Sequence, residues 1–266
     1  MRPIERQILE IYEYIYSKPE KLWYNVAEMY KLAVEVGYLV KLSTRGSLVL
    51  DVGCGNGRIT TALRKMERIV IGIDFSRQAI SRAKEKALEP YFLVCDARKL
   101  PFRAEVFDLV YFLGTLEYAS NIAEFLVDSI RVTKPGGLIF FNVWSRSGLR
   151  LRVMFDYLIE KTIKYVKKQP FLVKRNCFSM RELVHQVPQN CLLKEISGHF
   201  FILPRDVVIV GFVFRKMFEQ REAGTKRSQL TSYLSSFNNR ICNSLFGRYI
   251  APVVKVVLEK CKEGSA

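Results

Sequence analysis

The chain has 266 residues, 49% of them apolar, enough for one full core or one core with an elaborated cap. No apolar run approaches the roughly 20 residues that span a bilayer, and the opening stretch MRPIERQILEIYEYIY is too acidic and aromatic for a secretory signal. The net charge of +16 points to an anionic partner (nucleic acid, a membrane surface or an acidic substrate) or to a surface kept basic for solubility alone.

In chain order, residues 1–46 read as an N-terminal helical segment. Ile4, Ile8, Leu9, Ile11, Tyr12 and Ile15 recur at helical spacing, Pro19 interrupts them, and residues 22–42 resume the pattern. Strands are expected over residues 47–51, 69–74, 91–95, 107–113 and 138–144, alternating with helices over 58–66, 77–88 and 121–133. The turn KPGG at 134–137 leads into the fifth strand. Near-continuous apolar strands separated by helices imply a parallel sheet covered on both faces, and right-handed crossovers wind it doubly.

Beyond Trp144 the pattern changes. Residues 149–168, LRLRVMFDYLIEKTIKYVKK, read as a basic amphipathic helix, FSMRELVHQV as another helix and LLKEISGHF as a sixth strand. Residues 204–246 read as helical in two pieces, and residues 249–258 as a last strand at a sheet position that tolerates Pro252. The expected architecture is α/β: a doubly wound, seven-stranded, mostly parallel sheet, with a helical cap built from insertions after strands five and six. Charge divides along the same line. Residues 1–145 carry 20 Lys and Arg against 17 Asp and Glu, whereas residues 146–266 carry 22 against 9. Six cysteines (Cys54, Cys95, Cys177, Cys191, Cys242 and Cys261) show no CxxC or CxxH spacing, so they read as reduced thiols of a cytoplasmic protein. Cys95, with apolar flanks, reads as a packed strand residue.

The stretch with most chemical content is LVLDVGCGNGRIT, residues 48–60. Gly53, Gly55 and Gly57 follow the first strand directly, where a backbone can turn tightly and approach a ligand that any Cβ would push away. A dinucleotide site usually shows GxGxxG, with a diphosphate on the next helix. Here the spacing is GxGxG and Asp51 precedes it; an acid at that point suits an ammonium or sulfonium group and repels a diphosphate. Asp74 ends the second strand, where a carboxylate can accept both hydroxyls of a ribose; capping the next helix is the other reading, and Ser76 would serve there equally.

DVGCGNG, GIDFS, CDARKLPF, FDLVYFLGTLEYAS and the KPGG turn, in that order and spacing, resemble the class I S-adenosylmethionine-dependent methyltransferases. The nearest likeness is to the small-molecule and lipid-tailoring branch that includes the ubiquinone- and menaquinone-biosynthesis methyltransferases. The match covers about residues 47–145. It implies a Rossmann-like fold and S-adenosyl-L-methionine as cofactor. It also implies that Gly53, Cys54 and Gly55 line the methionine part of the cofactor while Asp51 organises the loop and faces the amino group. Asp74 would hold the ribose and Phe75 pack on the adenine. Asp96 would accept from the exocyclic amine, Ala97 offer its N–H to the ring, and Leu113 hold the methionine end.

Methyl transfer from a sulfonium is a direct displacement, so a dedicated base is optional. Glu117 in GTLEY and His199 at the end of the sixth strand are the candidates, each with a plain structural alternative: a carboxylate near a helix N-terminus and a packed histidine. The expected activity is methyl transfer to a small hydrophobic or anionic acceptor, a lipid, quinone-like molecule or other metabolite. Residues 47–145 would form the cofactor core, 146–246 the helical cap and sixth strand that recognise the acceptor, and 247–266 the last strand and tail. Residues 149–168 could lie on an anionic membrane, making the protein cytoplasmic with peripheral contact, or could cap the site with their lysines solvated. An RNA methyltransferase and a non-catalytic cofactor-binding protein are the alternatives. Nucleic acid is disfavoured because the position after the fourth strand reads LGTLEYA rather than Asn/Asp-Pro-Pro-aromatic.

Overall fold

A computed structural model describes residues 26–86, 91–119, 121–146, 176–199 and 253–262. The helices expected within residues 1–25, 149–168 and 204–246 fall outside them. Helix α1 (Val26–Leu42) precedes β1 (Leu48–Val52), α2 (Arg58–Lys65), β2 (Ile69–Asp74), α3 (Arg77–Lys86) and β3 (Phe92–Val94). Then come β4 (Phe107–Phe112), a 3₁₀ turn (Leu116–Tyr118), α4 (Ile122–Val132), β5 (Thr133–Ser145), β6 (Cys177–Phe178), α5 (Met180–His185), β7 (Cys191–His199) and β8 (Val253–Lys260).

The sheet follows the order β3-β2-β1-β4-β5-β8-β7, with the two-residue β6 pairing with β5 off that path. The first five strands are parallel, whereas β8 runs antiparallel to both β5 and β7. Among the described residues seven strands make the path and one short strand pairs beside it. The last strand lies inside the sheet rather than at its edge. The described strand begins at Val253.

Each face of the sheet buries its own apolar layer. Leu50, Val52, Phe112, Phe141 and Val256 face α4 and α5 through Ile122, Leu126 and Leu183. Val49, Leu109, Tyr111, Phe140 and Val257 face α1 and α2 through Val36, Leu39 and Leu63. The strands read as unbroken apolar runs because both faces are covered. Side-chain caps start two of the helices. Asn121 caps α4 by accepting from the Ala123 N–H, and Ser179 and Glu182 form a reciprocal capping box on α5. The KPGG segment departs from expectation in form. The strand begins at Thr133, opposite Phe107, and pairing resumes at Leu138 opposite Leu109, so KPGG bulges out within β5, with Gly136 at φ 76°.

The topology sets where the remaining chain can go. Because β8 opposes its neighbours, it begins at the edge where the parallel strands end. The chain therefore leaves β5 at Ser145 and β7 at His199 from that carboxyl edge, and re-enters β8 there.

At the opposite edge, Arg68 ties α1 to the turn before β2. Its guanidinium donates to the carbonyls of Ser43 (2.6 Å), Val40 (3.1 Å) and Met66 and to Ser43 Oγ (3.3 Å), and the residue is buried. Removing it leaves several buried acceptors unpaired at a helix C-terminus. Arg68→Ala should cost at least about 2 kcal/mol of unfolding free energy. Urea denaturation measures this, and a midpoint equal to the parent's would show that water replaces the guanidinium.

Candidate active site

β1 and β4 are neighbours although β2 and β3 intervene in the chain. Strand order reverses between them, which opens the crevice where doubly wound sheets bind ligands. The loop Gly53–Gly57 leaves β1 at that point. Two of its glycines meet a steric demand as well as a left-handed backbone. A Cβ on Gly53 (φ 79°) would fall 2.2 Å from Thr115 Oγ1, and one on Gly57 (φ 73°) 2.6 Å from the Phe92 ring.

Hydrogen bonds pin this loop to the end of β2. The N–H groups of Gly53 and Cys54 both donate to the Ile73 carbonyl, at 2.8 and 2.9 Å. The Gly55 N–H donates to Asp74 Oδ2 at 2.9 Å, and the Ser76 N–H to Asp74 Oδ1 at 2.9 Å. The helix cap is Ser76, whose Oγ accepts from the Ala79 N–H at 3.0 Å. Asp74 is therefore the brace of the loop and not the cap of α3. Phe75 beside it is 39% exposed.

Asp51 lies beneath the loop, only 3% exposed. Its Oδ2 accepts from Thr60 Oγ1 of α2 at 2.5 Å, and Tyr111 of β4 is its cross-strand neighbour. Burial pushes the Asp51 carboxyl up to about 7; the Thr60 and Tyr111 hydroxyls oppose that shift, and the nearby Asp74 and Glu35 reinforce it. The phenol of Tyr111 is fully buried next to Asp51, short of a well-formed hydrogen bond. Cys54 packs against Gly72, and burial holds its thiol well above the ordinary value, so it is no nucleophile.

Past β3, Asp96 is half exposed and held by Arg98, through the backbone N–H at 2.9 Å and the guanidinium at 2.6 Å; that bonding lowers its carboxyl pKa. Ala97 follows, partly buried. Cys95 packs against the core, as expected, but one residue past the end of β3 at Val94, and its thiol donates to the carbonyls of Asp96 (3.3 Å) and Lys99 (3.5 Å).

On the other side of the crevice, Leu113 is partly buried, the Gly114 N–H donates to Asn142 Oδ1 at 2.9 Å, and Thr115 Oγ1 donates to the Val52 carbonyl at 3.1 Å. Glu117 is buried in the 3₁₀ turn. Asn176 clips that turn, its N–H on the Glu117 carbonyl (2.7 Å) and its Nδ2 on the Ala119 carbonyl (2.6 Å). His199 is the final residue of β7, paired with Val253; its side chain lies outside the described residues. Since β7 is three strands from β4, the two catalytic candidates leave the sheet from backbones roughly 14 Å apart.

Sequence reasoning passed over Glu35, Thr60, Tyr111, Asn142 and Asn176. The available signal was a lone polar group in an apolar run: Glu35 in KLAVEVGYLV and Tyr111 in FDLVYFL.

Gly53→Ala should destabilise the fold by more than the roughly 1–2 kcal/mol of a left-handed Cβ alone, because it also strikes Thr115. Adding Thr115→Ala should recover the excess and leave the backbone part. A double-mutant cycle measures this; strictly additive effects would show that the contact relaxes freely.

Residues 50–141 match the family described as "Methyltransferase domain". The malonyl-[acyl-carrier protein] O-methyltransferase of Buchnera aphidicola is 31% identical over 101 residues, covering 38% of this chain and 41% of the relative. A ubiquinone biosynthesis O-methyltransferase of Coxiella burnetii is 32% identical over 111 residues, 40% of this chain and 47% of the relative. The chain thus spans less than half the length of these relatives. The solved structure of a SAM-dependent methyltransferase from Thermotoga maritima, described as a possible histamine N-methyltransferase, superimposes with a TM-score of 0.58 at 16% identity, over 96% of this chain and 99% of that one. Residues 50–141 are thus similar to a methyltransferase domain, and they lie on a Rossmann-like sheet.

Proposed function

We propose that the protein transfers a methyl group from S-adenosyl-L-methionine to a small hydrophobic or anionic acceptor. The observation that carries this reading is the meeting of the glycine loop with the Asp74 carboxylate at the crevice between β1 and β4, inside the matched domain. In this reading Gly53, Cys54 and Gly55 border the methionine moiety and Asp51 gives the loop a negative floor. A carboxylate offers about four acceptor directions. Asp74, at the end of β2 beside the loop, would hold the ribose hydroxyls. The exposed face of Phe75 would meet the adenine, Asp96 and Ala97 its polar edge, and Leu113 the methionine end.

When bound, the cofactor supplies the electrophilic methyl group on a positive sulfur. The protein's task is to align the acceptor with it and exclude water. Glu117 stands nearest to that role, buried in a turn held by Asn176. His199, at the carboxyl edge of β7, is the second candidate.

Acceptor recognition belongs, in this proposal, to residues 146–246, with residues 47–145 as cofactor core, residues 1–46 as a helical segment and residues 247–266 as last strand and tail. Both long excursions leave from and return to the carboxyl edge, beside the crevice. Their basic balance, within the 22 Lys and Arg against 9 Asp and Glu of residues 146–266, favours an acceptor bearing negative charge. The relatives named for malonyl-[acyl-carrier protein] and for ubiquinone biosynthesis make a small or carrier-linked acceptor the natural class to test. Among the described residues no helix is long and apolar enough to cross a membrane. Peripheral contact with an anionic surface in the cytoplasm stays part of the proposal, motivated by residues 149–168.

S-adenosylmethionine and S-adenosylhomocysteine should each raise the melting temperature, and NAD should not, since ligands stabilise what they bind. Asp74→Ala should weaken S-adenosylhomocysteine at least about tenfold, the loss of one or more charged hydrogen bonds. Calorimetry checks both. Stabilisation by NAD alone would overturn the reading, and unchanged affinity in the variant would confine Asp74 to bracing the loop.

A further inference from the structure

β3 is an end strand of the sheet, paired with β2 alone. The Gly72 N–H donates to the Tyr91 carbonyl at 2.8 Å and the Cys95 N–H to the Asp74 carbonyl at 2.9 Å, so Tyr91, Leu93 and Cys95 turn their main-chain groups toward β2. Phe92 and Val94 then turn theirs to the open side, where no described residue meets them. The side chains at this end of the sheet are apolar and uncovered. Val94 is 49% exposed, Leu93 and Tyr91 41% each, and Ile69 at the start of β2 51%.

The fold explains the exposure. Leu93 stands opposite Ile73, which belongs to the layer under α4 and α5, so the two share that face. There the chain passes from β3 to β4 through residues 95–106 without a helix, whereas α3 packs on the other face against Phe92. A parallel sheet is ordinarily covered on both faces, and an edge strand is ordinarily blunted by charged side chains. Residues 91–95, YFLVC, carry no charge, and the acid that follows them, Asp96, is held by Arg98.

We propose that β3 is a dimerisation edge, on which a second copy of this chain lays its own β3 antiparallel about a two-fold axis through Leu93. In that register Phe92 exchanges both main-chain bonds with Val94 of the second copy, and Val94 does the same with Phe92 of the second copy. Leu93 meets Leu93 of the second copy as the non-bonded pair between them, with Cα atoms about 4.5 Å apart and both side chains on the open face. A second copy fits this edge better than an unlike partner. The register is its own complement, setting apolar groups on apolar groups and bringing no like charges together. The basic excess of residues 146–266 joins the sheet at β5, β7 and β8, about 19 Å or more from β3 across at least four strand spacings. A partner selected by charge would be drawn to that half. The two-fold axis closes the contact at two copies. A strand this short buries little area, so the dissociation constant is on the order of micromolar. The pairing is independent of the methyl-transfer reading.

Sedimentation velocity of the full chain, from about 1 to about 100 μM, spans the expected affinity. The dimer fraction of the parent should rise over that range. Leu93→Arg sets two guanidinium groups on the axis and should weaken dimerisation at least about tenfold, with the parent's circular dichroism spectrum retained. Leu93→Cys reads the axis directly, and does so even if the arginine variant folds poorly. Its two Cα atoms would lie within disulfide range, so copper phenanthroline should link it into a covalent dimer faster than the parent. It should also outpace Val127→Cys on α4, where the side chain is 70% exposed but far from the proposed axis. A parent that sediments as a monomer throughout would overturn the inference and leave β3 to a strand from another protein. A dimer that Leu93→Arg does not weaken, or cross-linking of Leu93→Cys no faster than that of Val127→Cys, would overturn it as well.

Discussion

The Asp74 carboxylate takes N–H groups from two elements at once, Gly55 in the loop and Ser76 ahead of α3, each at 2.9 Å. Together with the paired bonds from Gly53 and Cys54 to the Ile73 carbonyl, it fixes the loop against the end of β2. With the loop held there, the space that a Cβ on Gly53 would need is filled by Thr115. Thr115 in turn bonds the last carbonyl of β1, and the preceding Gly114 bonds Asn142 of β5. The ends of β1, β2, β4 and β5 become one edge whose shape depends on side chains and not on the ladder alone. Preorganisation of this kind is what a displacement reaction asks of a protein that contributes little covalent chemistry.

Much of this was legible in the sequence because it obeys local rules. The buried parallel strands read as apolar runs, residues 178–187 as a helix, and the loop as GxGxG. The interior place of β8 was not legible. An apolar, β-branched run says that a strand is buried, but not that it inserts antiparallel between β5 and an earlier strand. The two-residue β6 carries no periodicity at all. In the site, Asp74 could be read as ribose acid or helix cap, and the bonds give the cap to Ser76. Glu35, Thr60 and Tyr111 lie on three elements spread over 77 positions of the chain. Their convergence is a product of register, Asp51 opposite Tyr111 under α1, which no single window contains.

Charge is sorted in space as well as along the chain. Three carboxyl groups, Asp51, Asp74 and Glu35, gather near the loop, each less than a tenth exposed. Burying carboxyls together is costly, and the cost is tolerable where a proton or a cation relieves it. The basic excess belongs to residues 146–266, which connect to the sheet at its carboxyl edge, after Ser145, after His199 and before Val253. In the proposed reading, an acidic floor and a basic acceptor-binding half would favour bringing a sulfonium together with an acceptor of negative charge. In the transition state of that transfer both charges diminish. A water-poor setting then opposes the ground-state charges more than the transition state, so the same burial that strains the carboxyls also favours the displacement.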